Sequence, residues 1–267
     1  MKLARKKVTS QTRQNNITQT IMANFLTSSI GRKFIQSISG AFLIVFLLLH
    51  MTINFFSVID SIGGKFGAPD GLFQAGCDFM ALPIVTIMVP VLALGFLVHI
   101  AYGIYLTVVN VKARGGVRRY ASGSKAKSDS WSARNMVVLG LVILGVLIFH
   151  LTHFWAKMEL QEFLGEEAWN PYLLLLKTFQ SPVILIVYLL WFLSIWLHLN
   201  HGFWSMFQSI GWNNQIWLKR LKIIGICVSS LIVLGFVAVA INGYIEAHFV
   251  TKSAEYVQPL LREIAGM

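Results

Sequence analysis

Five long runs of apolar residues constrain this chain more than any other feature. A helix needs about 20 apolar residues to cross the hydrocarbon core of a bilayer, whereas a membrane strand is about half as long and alternates in hydrophobicity. The chain is therefore predicted to be an all-α integral membrane bundle of five transmembrane helices. The predicted spans are residues 34–59, 82–109, 134–156, 182–208 and 221–247.

Charged residues are divided between the two ends of these spans. Of the 22 Lys and Arg residues, 17 lie before residue 34, in residues 110–134 or in residues 219–222. The opposite end holds 10 of the 11 acids. Short basic loops face the cytoplasm, so the N-terminus is predicted to be cytoplasmic and the C-terminus outside. The net charge of +11 then belongs to a cytoplasmic face that could dock an acidic partner or anionic lipid, and no nucleic acid is expected.

The chain is predicted to form one membrane domain with two tails. Residues 1–30 form a polar basic cytoplasmic tail, residues 31–250 the five-helix domain, and residues 251–267 a short external C-terminal tail. Inside the domain, residues 60–81 contain too many glycines to be assigned as a helix. Residues 169–180, which are rich in Leu and aromatic side chains, are expected to lie along the outer membrane interface.

Four of the five spans carry a histidine about sixteen residues from their start, namely His50, His99, His150 and His198. A polar side chain without partners is costly in the bilayer. Because successive spans run in opposite directions, His50 and His150 lie toward the outer leaflet, and His99 and His198 toward the inner one. Two imidazoles from neighbouring helices are what bis-histidine coordination of a haem iron requires. The sequence predicts two b haems, one held by each pair.

Glycines occupy matched positions within the two proposed pairs. Gly40 and Gly140 each precede their outer-layer histidine by ten residues, which is near the depth of the inner layer. Gly103 and Gly202 each follow their inner-layer histidine by four residues, on the same helix face. A flat macrocycle needs a helix surface without side chains at such places, although glycines also serve helix packing in membranes.

Two further histidines compete for the same roles. His153 follows His150 by three residues and His201 follows His198 by three, so each lies on roughly the same helix face as its neighbour. Both are interpreted as second-sphere or interfacial residues, with His153 the more serious rival. Histidines of membrane helices also serve as hydrogen-bonding or proton-handling residues without any metal.

Other polar residues near the spans are less specific. Gln36, Ser37 and Ser39 could donate to haem propionates, and capping or interhelical bonding explains them as well. Trp131 could pair with an inner propionate or belong to the aromatic belt of the membrane interface. Asp78, just before the second span, could take a proton from a quinol or be an exposed loop acid.

Together these residues resemble the membrane cytochrome b subunit of succinate dehydrogenase/fumarate reductase, in its single-chain, five-helix, two-haem form, over residues 30–249. The resemblance rests on Gln36-Ser37 with Gly40 and His50, on the stretch from His99 to Tyr105, on Gly140 with His150, and on His198-Leu-Asn-His-Gly202-Phe-Trp with Gly211-Trp212. It implies that His99 and His198 ligate the haem nearer the cytoplasm and His50 and His150 the outer haem. It also favours His198 over His201.

The resemblance further implies a function and partners. The chain would be a multi-pass protein of the bacterial inner (cytoplasmic) membrane with no dehydrogenase activity alone. It would anchor a cytoplasmic flavoprotein with covalent FAD and an iron–sulfur subunit, within a complex that could form a higher oligomer. Electrons would pass between the iron–sulfur subunit and a quinone, often menaquinone, through the two haems. The absence of a CxxC motif agrees with iron–sulfur clusters lying only in the partner.

One position departs from the family pattern, and two other functions remain open. Some related fumarate reductases carry a glutamate two residues before the fourth ligand, where this chain has Trp196. A coupled transmembrane proton route of that kind is therefore not expected. The alternatives are a two-haem cytochrome b of a hydrogenase or formate dehydrogenase, and a haem-free transporter that uses the histidines for metal or protons.

Overall fold

The computed structural model describes residues 28–113, 131–212, 214–249 and 252–266. Within these ranges every regular element is helical and no strand occurs. Five helices are long and apolar enough to cross a membrane, which confirms the all-α class and the five predicted spans.

The helices follow the predicted spans closely and add shorter elements between them. The elements are α1 (Ser29–Ile62), α2 (Leu72–Met80), α3 (Pro83–Thr86), α4 (Met88–Ala113), α5 (Trp131–His153), a 3₁₀ turn (Trp155–Lys157), α6 (Glu159–Phe163), α7 (Pro171–Phe179), α8 (Pro182–Ser209), α9 (Gln215–His248) and α10 (Ala254–Gly266). The first span is α1, the second consists of α3 and α4, and the other three are α5, α8 and α9.

Side-chain caps mark where the spans begin. The Ser181 hydroxyl accepts from the Ile184 N–H at 3.5 Å, and Pro182 takes the first helical position of α8. Proline suits this position because the N–H that it lacks would be unpaired there. Helix α9 also begins with a side-chain cap, because the Asn214 side chain accepts a hydrogen bond from the Trp217 N–H at 2.8 Å.

The second span is broken near its beginning. The sequence predicts a kink at Pro90, because proline has no N–H for the carbonyl four residues earlier and its ring crowds that carbonyl. The helix is interrupted at Ile87, which separates the short α3 from α4. The disturbance thus lies on the N-terminal side of Pro90, where the lost hydrogen bond would have been.

Four spans form a bundle whose cyclic order is α1, α4, α5, α8. Helix α1 packs against α4 and α8, and α5 packs against α8, while α4 and α5 touch only lightly. In the part of the chain that the structure describes, α1 packs at most lightly on α5, and α4 at most lightly on α8. These pairs are the diagonals of the bundle. Helix α9 packs outside, against α1 and α8.

The two ends of the bundle differ in charge and are named accordingly. The basic end holds the start of α1, the end of α4 and the start of α9. The acidic end holds the end of α1 together with α2, α7 and α10, so that short helices cover it.

The loop between the first two spans contains a helix, so the expectation of an irregular loop at residues 60–81 is wrong over Leu72–Met80. The Asp60 carboxylate accepts hydrogen bonds from the N–H groups of Leu72 and Phe73, both at 2.8 Å. A buried negative charge at a helix N-terminus satisfies free N–H groups and complements the helix dipole. The glycines instead serve the turn before α2, where Gly67 has a φ of +89°.

The segment expected at the membrane interface lies in the protein interior instead. Helix α7 packs on α9 and α10, and its side chains from Tyr172 to Leu176 are between 0% and 2% exposed. That expectation is wrong because α7 is apolar on nearly all sides, and such a helix is buried by neighbouring helices. The C-terminal segment supplies part of the cover through α10.

Tyr172 joins α7 to the cap of α2. Its hydroxyl donates to the Asp60 carboxylate at 2.7 Å, and its ring packs edge-on against Phe66 and Phe73. Burial and, second, the bond to Asp60 raise the pKa of Tyr172 far above its usual range, so the hydroxyl stays protonated and remains a donor. A side chain at Gly71 would lie 2.2 Å from the Tyr172 oxygen, so only glycine fits there.

We predict that Asp60→Asn destabilises this end of the protein. An amide oxygen cannot replace a carboxylate that accepts three hydrogen bonds, and losing charged hydrogen bonds typically costs about 2 kcal/mol. Thermal unfolding in detergent should show a lower midpoint, and protease should cleave residues 63–71 faster. The matched control is Asp70→Asn, which removes only the exposed ion pair with Lys65 and should change neither measurement. Equal behaviour of the two variants would contradict this account of the cap.

Candidate functional site

Two histidines meet near the acidic end of the bundle interior. The rings of His50 on α1 and His150 on α5 have centroids 6.0 Å apart and planes at 83° to each other. Phe46 stacks on His50 at 5.3 Å, and Trp191 lies 5.5 Å from His150. The acidic-end pair, His50 with His150, is therefore enclosed mainly by aromatic side chains.

A second pair of histidines meets nearer the basic end. The rings of His99 on α4 and His198 on α8 have centroids 6.3 Å apart and planes at 71°. Gly40 of α1 lies against this pair, because a side chain there would come within 3.2 Å of His99 Cε1. The basic-end pair, His99 with His198, thus lies at the level of Gly40, as the ten-residue spacing between Gly40 and His50 predicts.

Both pairs connect helices on opposite sides of the bundle. Among the described residues, α1 and α5 pack at most lightly on each other, as do α4 and α8, yet their imidazoles meet. Side chains on diagonal helices of a four-helix bundle point into its interior, where ligand and metal sites of bundles are built. The structure brings together the same two pairs that depth and helix direction predict.

The spacing of each pair is compatible with two ligands of one metal ion. A bond from a metal to an imidazole nitrogen is about 2 Å long, and the centre of an imidazole ring lies about 1 Å beyond that nitrogen. Two imidazoles on opposite sides of one metal therefore have centroids about 6 Å apart. The observed 6.0 and 6.3 Å agree with that arrangement.

The hydrogen bonds of the acidic-end pair involve one nitrogen of each ring. His50 Nδ1 lies 3.5 Å from the Asn54 amide nitrogen, and His150 Nδ1 lies 3.5 Å from the Tyr188 hydroxyl. A ligating histidine generally uses one ring nitrogen for the metal and bonds the other to a neighbour that fixes the ring. The acidic-end pair has this arrangement, with Nε2 left for a ligand.

Polar side chains from α1 contact the basic-end pair on one side only. Ser39 Oγ lies 3.2 Å from His99 Nδ1, and Gln36 Nε2 lies 3.4 Å from both nitrogens of His99. On the other side, His198 Nδ1 is buried and has no hydrogen-bond partner among the described residues. An unpaired buried polar atom costs free energy. A ligand that bonded to this pair could remove that cost.

The four predicted glycines fall into two groups. Gly40 and Gly103 are close to other side chains, since a Cβ on Gly103 would lie 3.5 Å from Gln36 Nε2. Gly140 and Gly202 border open space, where a Cβ would meet nothing within 4 Å among the described residues. The second group leaves bare helix surface on α5 and α8, and the first allows close approach of α1 and α4.

The two rival histidines point elsewhere. His153 Nδ1 lies 2.9 Å from the Phe149 carbonyl oxygen, and its ring lies on the Phe149 ring. His201 packs edge-on against Trp204, over which Lys222 places its ammonium group at 4.7 Å. Among the described residues, neither ring makes a contact with the opposite histidine of a pair like those within the pairs. His201 Nδ1 is buried and has no hydrogen-bond partner there, as is the case for His198 Nδ1.

Three other predicted site residues are not joined to either pair. Ser37 Oγ donates to the Lys33 carbonyl of its own helix at 2.9 Å. Trp131 is 56% exposed at the start of α5. Asp78 is exposed on α2 and accepts a hydrogen bond from Gln74 at 2.9 Å.

Sequence reasoning missed Asn54 and Tyr188, which contact the acidic-end pair. Asn54 follows His50 by four residues, and this helical spacing of two polar residues in an apolar run could have revealed it. Tyr188 is nearly fully buried in α8. Its contact with His150 comes from the packing of α8 on α5, which no local pattern shows.

An apolar cavity of about 310 Å³ opens between α1 and α2 near the acidic-end pair. Leu49, which precedes His50, lines it. The other lining residues are Thr52, Ile53, Phe56, Leu72, Ala75, Gly76 and Phe79. Nearby, burial and then the charge of Asp78 raise the pKa of Cys77 to about 12, so this cysteine is a thiol and not a thiolate ligand at neutral pH.

The candidate site therefore consists of two pairs of imidazoles rather than a larger cluster. Among the described residues, no three or more His, Cys, Asp or Glu side chains converge on one point, and a bis-histidine site needs only two. No protein-family model matches the chain, and neither a curated protein nor a solved structure is found to be similar to it.

Proposed function

We propose that this protein is a di-haem cytochrome b that carries electrons across the membrane. In this proposal it is the anchor subunit of a succinate:quinone oxidoreductase or quinol:fumarate reductase. The observation that carries the proposal is the meeting of two imidazole pairs, 6.0 and 6.3 Å apart, across both diagonals of one bundle. Structural histidines have no need for this repeated arrangement.

The chain's own residues fit a flat cofactor with a central metal at each pair. His50 and His150 would hold one haem b, and His99 and His198 the other. The open space beside Gly140 and Gly202 supports this fit. So does the buried His198 Nδ1, which has no hydrogen-bond partner among the described residues, a state that the neighbouring His201 Nδ1 shares. Haem iron supplies reversible one-electron transfer, with a potential tuned by its axial ligands and their surroundings.

The protein residues would give the two haems different surroundings. Asn54 and Tyr188 orient the acidic-end imidazoles through Nδ1, and such outer contacts tune a bound metal. Gln36 and Ser39 surround His99 with polar groups. The two haems should therefore differ in reduction potential, which lets electrons move between them in a defined direction.

The basic end would face the cytoplasm and dock the iron–sulfur subunit, which carries the flavoprotein with its FAD. Lys219, Arg220 and Lys222 are exposed on the first turns of α9, and Arg220 also lies over the Trp217 ring at 5.4 Å. Exposed positive charge near a membrane favours an acidic partner surface and speeds its association.

The cavity between α1 and α2 would take the quinone, in this proposal menaquinone. Its walls are apolar, as expected of a site for an isoprenoid quinone, and it begins one residue from the ligand His50. Asp78 lies on the same helix as the cavity wall and is exposed to solvent, so it would be available to exchange protons with the outside.

We predict that the purified chain contains two haems per polypeptide and that each histidine pair holds one. His99→Ala or His198→Ala should remove the basic-end haem, and His50→Ala or His150→Ala the acidic-end haem, because one lost axial ligand breaks the bis-histidine site. Pyridine haemochrome analysis with reduced-minus-oxidised spectra measures this.

The matched controls are His153→Ala and His201→Ala, which remove the neighbouring histidines that face away from the pairs. Both variants should retain two haems. A wild-type chain without haem would overturn the proposal and favour the transporter alternative. Loss of haem from His153→Ala but not from His150→Ala would show that the ligand is assigned wrongly.

We predict that Lys219→Glu combined with Arg220→Glu weakens partner binding without loss of haem. Reversing two exposed charges should repel an acidic partner, so that flavin no longer co-purifies at moderate salt. Lys252→Glu, at the acidic end, is the control and should leave co-purification unchanged. If no flavin accompanies even the wild-type complex, the hydrogenase or formate dehydrogenase type of cytochrome is favoured.

We predict that Ala75→Trp slows the reaction with quinol. The indole would fill the cavity beside α1, so the rate at which a menaquinol analogue reduces the haems should fall at least about tenfold. This corresponds to an activation barrier about 1.4 kcal/mol higher. Haem content should stay at the wild-type value. Ala81→Trp, just beyond α2 and outside the cavity lining, serves as the control, and equal rates for both variants would place the quinone elsewhere.

A further inference from the structure

Two tryptophans and an arginine form a cluster where the chain turns from α8 into α9. The Trp212 and Trp217 rings have centroids 5.1 Å apart, and Phe207 at the end of α8 packs against Trp212 at 5.7 Å. The Arg220 guanidinium lies over the Trp217 ring, 5.4 Å from its centre. We call Trp212, Trp217 and Arg220 the tryptophan–arginine cluster. The histidine pairs and the quinone cavity make no use of it.

The turn between the two helices builds this cluster. Gly211 has a φ of +92°, a conformation that favours glycine. The next residue, Trp212, donates its N–H to the Phe207 carbonyl at 2.9 Å, and the side chain of Asn214 then caps α9 at the N–H of Trp217. Both indoles are therefore positioned by hydrogen bonds of the turn itself.

The cations beside the cluster share a helix face with residues that meet lipid. Ile216, Lys219, Arg220 and Ile223 lie three, four and seven residues apart, which places them on one side of α9. Ile216 and Ile223 are 66% and 63% exposed, whereas Leu221 on another side of the helix is buried. In a helix that crosses a membrane, exposed isoleucines face acyl chains. Lys219 and Arg220 therefore lie on the lipid-facing side of α9.

The depth of the two cations matches that of lipid headgroups. Helix α9 has 34 residues, which is about 51 Å of helix and exceeds the hydrocarbon core by about 20 Å. Lys219 and Arg220 lie in the first two turns of α9, about 6–8 Å from its beginning. Tryptophans concentrate at the same level of a membrane. The cluster thus lies where the phosphates of one leaflet are found.

The charge at this place is positive and has no acid to balance it. Every Asp and Glu that the structure describes lies toward the acidic end, while Lys219 and Arg220 are exposed. A guanidinium that lies over an indole keeps its N–H edge for an acceptor, and this edge fits two oxygens of a phosphate. The cluster has the charge and the geometry of an anion site open to the membrane.

We propose that the tryptophan–arginine cluster, together with Lys219, binds the phosphate of an anionic phospholipid from the leaflet at the basic end. Arg220 contacts the phosphate oxygens and Lys219 adds a second charge. Trp212, which is 44% exposed, covers the glycerol region, and Ile223 contacts an acyl chain. This site is independent of the proposed haem sites.

The lipid and the proposed iron–sulfur subunit approach these cations from different directions. The subunit would reach them along the bundle axis, from the basic end, whereas a lipid reaches them from the side. The face that carries the cations continues into the membrane as exposed Ile223 and Ile226. Such a continuation suits the acyl chains of a lipid and not a water-soluble subunit, so the lipid is the favoured occupant.

Native mass spectrometry of the full-length chain in detergent, titrated with dioleoyl phosphatidylglycerol or dioleoyl phosphatidylcholine, tests the proposal. The wild type should retain phosphatidylglycerol more tightly than phosphatidylcholine. Arg220→Gln should weaken phosphatidylglycerol binding about fivefold, the effect expected of one Lys or Arg near an anionic surface, and leave phosphatidylcholine binding unchanged. Lys112→Gln is the matched control, because it removes an exposed cation at the basic end of α4 and should bind both lipids as the wild type does.

The competing interpretation is that these cations only set the orientation of the chain and attract anionic lipid as a diffuse charge. Trp217→Leu separates the two interpretations, since it leaves every charge in place but removes the ring that holds the Arg220 guanidinium. A built site predicts weaker phosphatidylglycerol binding in Trp217→Leu, whereas a diffuse charge predicts none of this loss. Inorganic phosphate at millimolar concentration should not displace the lipid, because acyl-chain contacts contribute to its binding.

Three results would overturn the inference. The first is equal loss of phosphatidylglycerol from Arg220→Gln and Lys112→Gln, and the second is wild-type binding by Trp217→Leu. The third is wild-type lipid binding by Arg220→Gln together with loss of flavin co-purification, which would assign the cations to the partner subunit alone. Lipid retention is measured in the same way whether or not the chain holds haem, so failure of the di-haem proposal leaves this test intact.

Discussion

An imidazole inside an apolar bundle must find partners for its ring nitrogens, and this need shapes the interior of the protein. A neutral imidazole carries one donor and one acceptor, and neither can be left to lipid without a cost in free energy. Here each of the four central histidines turns inward toward one on the diagonally opposite helix. That requirement accounts for the wide diagonals, the bare glycine surfaces and the polar residues of α1 in the interior.

The two histidine pairs are surrounded by different kinds of side chain. Around His50 and His150 the contacts are aromatic rings with one amide and one phenol, whereas around His99 they are a hydroxyl and an amide from α1. Helix α1 contributes to both pairs, as the carrier of His50 and as the polar neighbour of His99. A single helix therefore links the environments of the two sites, and a change in its rotation would alter both.

Much of this architecture could be predicted from the sequence because it depends on local patterns. Run length predicts the spans, and the alternating direction of spans sorts the histidines into the pairs that meet. The failures lie at the acidic end, where the structure depends on contacts distant in sequence. Asp60 caps α2 and binds Tyr172, which is 112 residues away, and α7 is buried by α10. Tyr188 could not be predicted for the same reason, since its contact with His150 comes from the packing of α8 against α5.

Helix α4 is held on one side of the bundle. It packs against α1, touches α5 lightly, and contains no fully buried residue, although it carries His99. An edge helix with one firm attachment can move aside while the contacts among α1, α8 and α9 remain in place. Displacement of α4 would therefore expose the His99 side of the bundle interior while the rest of the bundle stays packed.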